Sequence, residues 1–131
     1  MDKIVAIVKL FIGGIISCIS YLLGGYDALL LALFLVICLD IITGSICAIT
    51  NKELNSKTSF KGLSKKVVII LYVMLASITD NVMGTEISRN MVILWFIGSE
   101  GISILENGSK IGVPFPNKIK DFLSQLKNEG D

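Results

Sequence analysis

Three acidic residues, Asp40, Asp80 and Glu100, interrupt runs of apolar sequence that are otherwise almost free of charge. A carboxylate in hydrocarbon costs roughly 2.5–3.5 kcal/mol on insertion scales, so chains keep such residues where they face protein or water. Two chemistries suit them. Protonated, they can act as hydrogen-bonding glue between helices. Charged, they can line an aqueous path or the contacts of an oligomer. Helical spacing gives each acid a neighbourhood. Asp40, Gly44 and Ala48 stack at i, i+4, i+8, flanked by Thr43 and Cys47. Ala76, Asp80 and Gly84 repeat that small-residue stripe. Glu100, Ser103 and Asn107 share a third face, with Glu106 close by. Only Lys9 stands as a possible intramembrane counter-charge, and it lies close enough to a helix end to snorkel. Three separated acids with so little compensation favour a path or assembly role over glue.

The elements that must hold these residues are set by hydropathy. The chain has 131 residues, 53% hydrophobic and 18% charged, against about 25% charged in an ordinary soluble domain. A helix crossing about 30 Å of hydrocarbon needs roughly 20 apolar residues. Residues 4–23 and 28–50 reach that length, 67–84 falls slightly short, and 91–105 is the shortest, interrupted by Glu100. The expected fold is an all-α membrane protein, a single domain of four transmembrane helices with a cytoplasmic tail over 107–131. The first run follows Lys3 as a secretion signal would, but it is long and has no small-x-small cleavage site behind it. It is therefore read as a span, closed by a tight turn at Gly24–Asp27. After the Gly112, Pro114, Pro116 break, Ile119, Phe122, Leu123 and Leu126 recur at i, i+3, i+4, i+7. That pattern predicts a short amphipathic helix lying on the membrane surface or packing on the middle loop.

Lysines predict orientation. Lys52, Lys57, Lys61, Lys65 and Lys66 crowd the segment between the second and third runs, and Lys110, Lys118, Lys120 and Lys127 follow the fourth. With four spans these segments share one side, which the positive-inside rule makes cytoplasmic, together with both termini. The opposite side receives the 24–27 turn and the 85–90 loop, whose basic residue is Arg89. The basic segment has one aromatic, Phe60, and net charge is only +1, so topology and headgroup attraction account for it better than nucleic-acid binding.

Other chemistry is poorly served. Histidine is absent, and Cys18, Cys38 and Cys47 all fall inside apolar runs with no paired spacing. No phosphate loop, nucleophile elbow or HExxH pair occurs. Neither an enzyme nor a cofactor or metal site is expected.

With these features in place the chain resembles the phage-lysis and toxin-secretion holins of low-GC Gram-positive bacteria and their phages. The likeness runs from about Gly24 to Lys127, through GGYDALLLAL, LDIITG, SFKGLSKKV, Asp80 and SEGISILENGSKIGVPFPNKIKDFL. The last block is the specific one. The resemblance implies a small inner-membrane protein that accumulates, oligomerises with itself and opens lesions in the bilayer. A murein hydrolase, or in some clostridia a toxin, crosses through them. It matches Asp40, Asp80, Glu100, Glu106 and Asn107 to the family's polar membrane residues without giving each a role. Two rival classes are a four-helix proton-coupled exporter and a non-conducting membrane anchor. Such exporters typically carry their carboxylate in the first span, where this chain has Lys9.

Overall fold

A computed structural model describes residues 1–130, with side chains through Asn128. Among these residues five helices and no strand occur: α1 Asp2–Leu22, α2 Ala28–Thr50, α3 Ser56–Met83, α4 Ile87–Lys110 and α5 Asn117–Gly130. The all-α expectation holds. α1, α2 and α3 are long and apolar enough to cross a membrane. α4 has the length, 24 residues or about 36 Å at 1.5 Å per residue, but it is more polar and falls outside that set.

Short connections make successive helices run antiparallel. One end of the bundle carries the 23–27 and 84–86 turns and is called the turn end. The other carries the loop 51–55 and is called the lysine end. At the turn end Gly24 and Gly25 have positive φ, and the Asp27 side chain accepts the Leu30 amide at 2.9 Å to start α2. At the lysine end Asn55 accepts the Lys57 amide at 2.9 Å and starts α3. Hydropathy starts the third apolar run at residue 67, and the helix that carries it begins earlier, at Ser56, because a helix starts where its amides are capped, not where its side chains turn apolar. α4 likewise outruns the expected 91–105 in both directions and includes Glu106 and Asn107, one of which had been assigned to the tail.

The centre of the bundle is α4. It packs on α2, α3 and α5, and no residue from Ser88 to Leu105 is exposed. The apolar core joins Leu30, Leu33 and Ile37 of α2, Ile69 and Val73 of α3, Ile93 of α4 and Leu23 of the first turn. α1 is the opposite case: none of its residues is buried, and its main contact is with α3. The outer surface is apolar, with Leu10 77%, Phe11 71% and Val82 80% exposed. Such a coat is untenable in water and natural in lipid. The protein is a membrane protein.

α5 takes neither expected position. It folds back along α4, where Gly98 and Gly101 admit it: a Cβ at Gly98 would lie 2.5 Å from the Leu123 carbonyl oxygen, and one at Gly101 would lie 2.8 Å from the Leu123 side chain. Lys127 sits 5.0 Å from the centre of the Trp95 ring, within cation–π range. Of the predicted apolar stripe, Leu123 and Leu126 turn inward while Ile119 and Phe122 remain exposed. Close helix approach over two glycines outcompetes a surface location because it buries backbone against backbone.

Candidate functional site

The buried face of α3 reads Lys66, Ile69, Val73, Ala76, Ser77, Asp80, with Lys66 the least buried of the six. This i, i+3, i+4, i+7 series turns the Lys66 ammonium inward, although the residue had been expected in the basic loop. There it bridges two helices. Lys66 Nζ donates to Asp40 Oδ2 of α2 at 2.5 Å and also to Glu100 Oε2 of α4. Asp40 is 8% exposed and Glu100 7%. Each member of this triad stands ten residues from the lysine end of its own helix, about 15 Å along the axis, so the three meet at one depth. Burial of ions at this level is tolerable only with close pairing.

The predicted face of α4 meets the predicted face of α2. Asn107 Nδ2 donates to Asp40 Oδ1 and to Thr43 Oγ1, both at 3.1 Å, and stands 3.5 Å from where a Cβ on Gly44 would be. Towards the lysine end a cavity of about 310 Å³ opens between α2 and α3. Asp40, Gly44, Glu53, Gly62, Lys66 and Ser103 are among its lining residues. Glu106 is exposed and stands apart from this cluster. With both carboxylates ionised the triad carries one negative charge, so it can bind a further cation or proton.

Asp80 belongs to a different structure at the turn end. Its carboxylate accepts the Ser88 amide at 2.9 Å, the Arg89 amide at 2.8 Å and the Thr85 hydroxyl at 2.9 Å. It therefore caps α4, whose own N-cap residue Glu86 makes no side-chain cap; a negative charge there also suits the helix dipole. Arg89 is buried beside it and donates to the Leu23 carbonyl at 2.5 Å, the Gly25 carbonyl at 3.0 Å and the Asp27 carboxylate at 2.8 Å. Hydrogen bonding from Arg89 holds the Asp27 carboxyl below its ordinary value. Gly24 is required: its φ is +83°, and a Cβ would lie 2.7 Å from Arg89 and from Ser77 Oγ.

Residues 17–128, most of the chain, match the bacteriophage holin family. The chain belongs to the bacteriophage holin family. Among its relatives, the "uncharacterized 14.9 kDa protein in nagH 3'region" of Clostridium perfringens is 38% identical over 98% of this chain and 99% of its own length. A "probable holin" of Bacillus phage phi105 is 37% identical over 86% of this chain and 83% of its own. YqxH of Bacillus subtilis is 37% identical over 83% and 78%. No solved structure matches.

In this holin-family chain, then, the structure joins Asp40, Gly44, Glu100 and Asn107 at one site, moves Asp80 to a cap, and leaves Glu106 outside. The expectation that Lys9 was the one available counter-charge is corrected: Lys66 is that partner, and Arg89 is the second buried cation. The periodicity that links Lys66 to Ile69 and Val73 was the signal for the first. Nothing local marks Arg89, whose partners lie more than sixty residues away.

Proposed function

We propose that this protein is a working holin: it crosses the cytoplasmic membrane four times with both termini on the inner side, the tail folding back from there along α4, self-associates, and opens lesions. Through them a murein hydrolase or a secreted toxin leaves the cytoplasm. The observation that carries the reading, beyond family membership, is the position of α4. It lies alongside two apolar spans, enclosed over its middle, with Glu100 paired to Lys66 at mid-helix and its amino-terminal amides and Arg89 met by Asp80 and Asp27. A polar helix so compensated can sit at membrane depth. An even number of spans then places the 51–55 loop and the tail on one side, and the basic residues of both favour the inside. Lys57, Lys61 and Lys65 are exposed on the first turns of α3. That helix, at 28 residues or about 42 Å, outreaches the hydrocarbon and can present them to headgroups. The relative described as a probable phage holin supports the same reading.

The action needs no catalysis, since a lesion acts by letting molecules through. Expressed alone in a bacterium, the protein should accumulate harmlessly and then depolarise the membrane within a short interval. Co-expressed with a murein hydrolase lacking a signal sequence, it should release that enzyme and lyse the culture. Retention of the hydrolase in cells with full membrane amounts of the protein would refute the lesion for such cargo. An unchanged membrane potential as well would point to an exporter or an anchor.

A further inference from the structure

Two features of the bundle bear on self-association: the loosely packed α1 and the cavity between α2 and α3. α1 buries none of its residues against its own chain, and its Lys9 has no acidic partner among the described residues. The cavity between α2 and α3 has a volume of about 310 Å³. Its lining carries two carboxylates, Asp40 and Glu53, against the single ammonium of Lys66, which is already shared with Glu100 behind it. The charge that the cavity lacks is the charge that α1 carries. We propose that α1 of one copy seats in the groove between α2 and α3 of the next, with Lys9 entering beside Asp40 and Glu100. This deepens the self-association in the proposed function and rests on it.

Depth and shape agree. Lys9 stands seven residues from the first residue of α1, about 10 Å along the axis, and the triad about 15 Å from the same end of the bundle. A lysine's four-carbon stem spans the difference. Two copies in one bilayer share an orientation, so rotation about the membrane normal preserves this match. Lys9, Gly13 and Ser17 lie on one face at i, i+4, i+8, and Gly62 lines the groove. A glycine inside a helix costs about 1 kcal/mol relative to alanine. Yet a Cβ at Gly13, Gly14 or Gly62 would meet nothing within 4 Å. The chain's own packing does not need those positions small, whereas a close helix–helix contact between copies does. The contact is heterologous, helix of one copy into groove of another, so each added copy presents a fresh α1 and a fresh groove. Contacts of that kind close into rings or extend as open arrays.

The test uses full-length chains in which Cys18, Cys38 and Cys47 are replaced by alanine. One tagged chain carries Ala6→Cys and a differently tagged chain carries Ser59→Cys, both positions exposed and near the lysine end. Membranes from cells making both chains should yield, on oxidation, a disulfide-linked species carrying both tags. Cells making only the Ala6→Cys chain should yield no dimer. Gly62→Leu in the Ser59→Cys chain, or Lys9→Glu in the other, should abolish the mixed species at unchanged membrane amounts. Dimers from Ala6→Cys alone, absence of the mixed species with both chains present, or indifference to Gly62→Leu would each overturn the proposal. Membrane potential in the same cells reads the lesion separately. Depolarisation without the mixed species overturns this interface and leaves the holin reading intact; the mixed species without depolarisation supports the interface and counts against the lesion.

Discussion

Replacing Lys66 with methionine keeps the stem and deletes the one charge that holds Asp40 and Glu100 together. Both carboxylates are about nine-tenths buried as side chains, and both bond the same nitrogen, so they stand at most ~5 Å apart. Without the ammonium the site has two ways out. If both stay ionised, their repulsion is about 3 kcal/mol at an effective dielectric of 20, on top of the lost attraction. If one takes up a proton at pH 7, about three pH units above the ordinary value for a carboxylic acid, the cost is about 4 kcal/mol. The two routes converge near the 3–5 kcal/mol typical of removing one partner from a buried pair, a large share of a usual stability of about 5–15 kcal/mol. Combining Lys66→Met with Asp40→Asn and Glu100→Gln removes every charge, and should return stability to within about 1–2 kcal/mol of the parent. Trp95, the sole tryptophan, lies on the central helix against Phe96 and reports unfolding in detergent by fluorescence. Unfolding of the single variant at the parental denaturant concentration would refute the reasoning, as would a triple variant no more stable than the single one.

Gly98→Ala puts a methyl 2.5 Å from the Leu123 carbonyl oxygen and should lever α5 off α4 at about 1–3 kcal/mol, read as faster trypsin cleavage at Lys118 and Lys120. Asp27 has a carboxyl depressed by Arg89, so its contribution is complete above the unfolded value of about 3.9 and is lost as pH falls through the lower folded value. Acid melting curves of Asp27→Asn should therefore lack that loss, and identical curves would remove the Arg89 link from the account. Thiol labelling of cysteines introduced at Lys61 and Asn117 should need a membrane-permeant reagent, whereas one at Glu86 should react from outside; reaction of position 117 from outside would remove the fourth crossing.

Much of the helical layout was legible because apolar run length is a local property, and it located α1 and α2 to within a few residues. Part of the site was legible for a related reason: the i, i+3, i+7 spacing of Glu100, Ser103 and Asn107 fixes a shared face wherever the helix packs. Lys66 was hidden by the same hydropathy that revealed the spans. The apolar run starts at Val67, so a residue one step earlier looks like loop, although Asn55 caps the helix twelve residues before that run. Asp80 misled differently. Its stripe of small neighbours resembles a helix contact, but its role is decided by the amides of α4, which arrive from the following turn and carry no side-chain signature. The docking of α5 depended on Gly98 and Gly101, whose lack of a side chain matters only once a partner backbone is known.

The central place of α4 has a consequence for how the protein is made. Translation delivers α1, α2 and α3 before α4, and all three are apolar enough to partition into the bilayer as they emerge. Asp40 and Lys66 can then pair across the space that α4 will fill. α4 follows later, too polar to partition on its own account, and its Glu100, Arg89 and Asn107 find their partners only on segments already inserted. Placement of α4 is thus a templated step, governed by the preceding helices and not by its own affinity for lipid. α5, which closes over α4 from Leu123 to Lys127, can seal the bundle only after nearly the whole chain has left the ribosome.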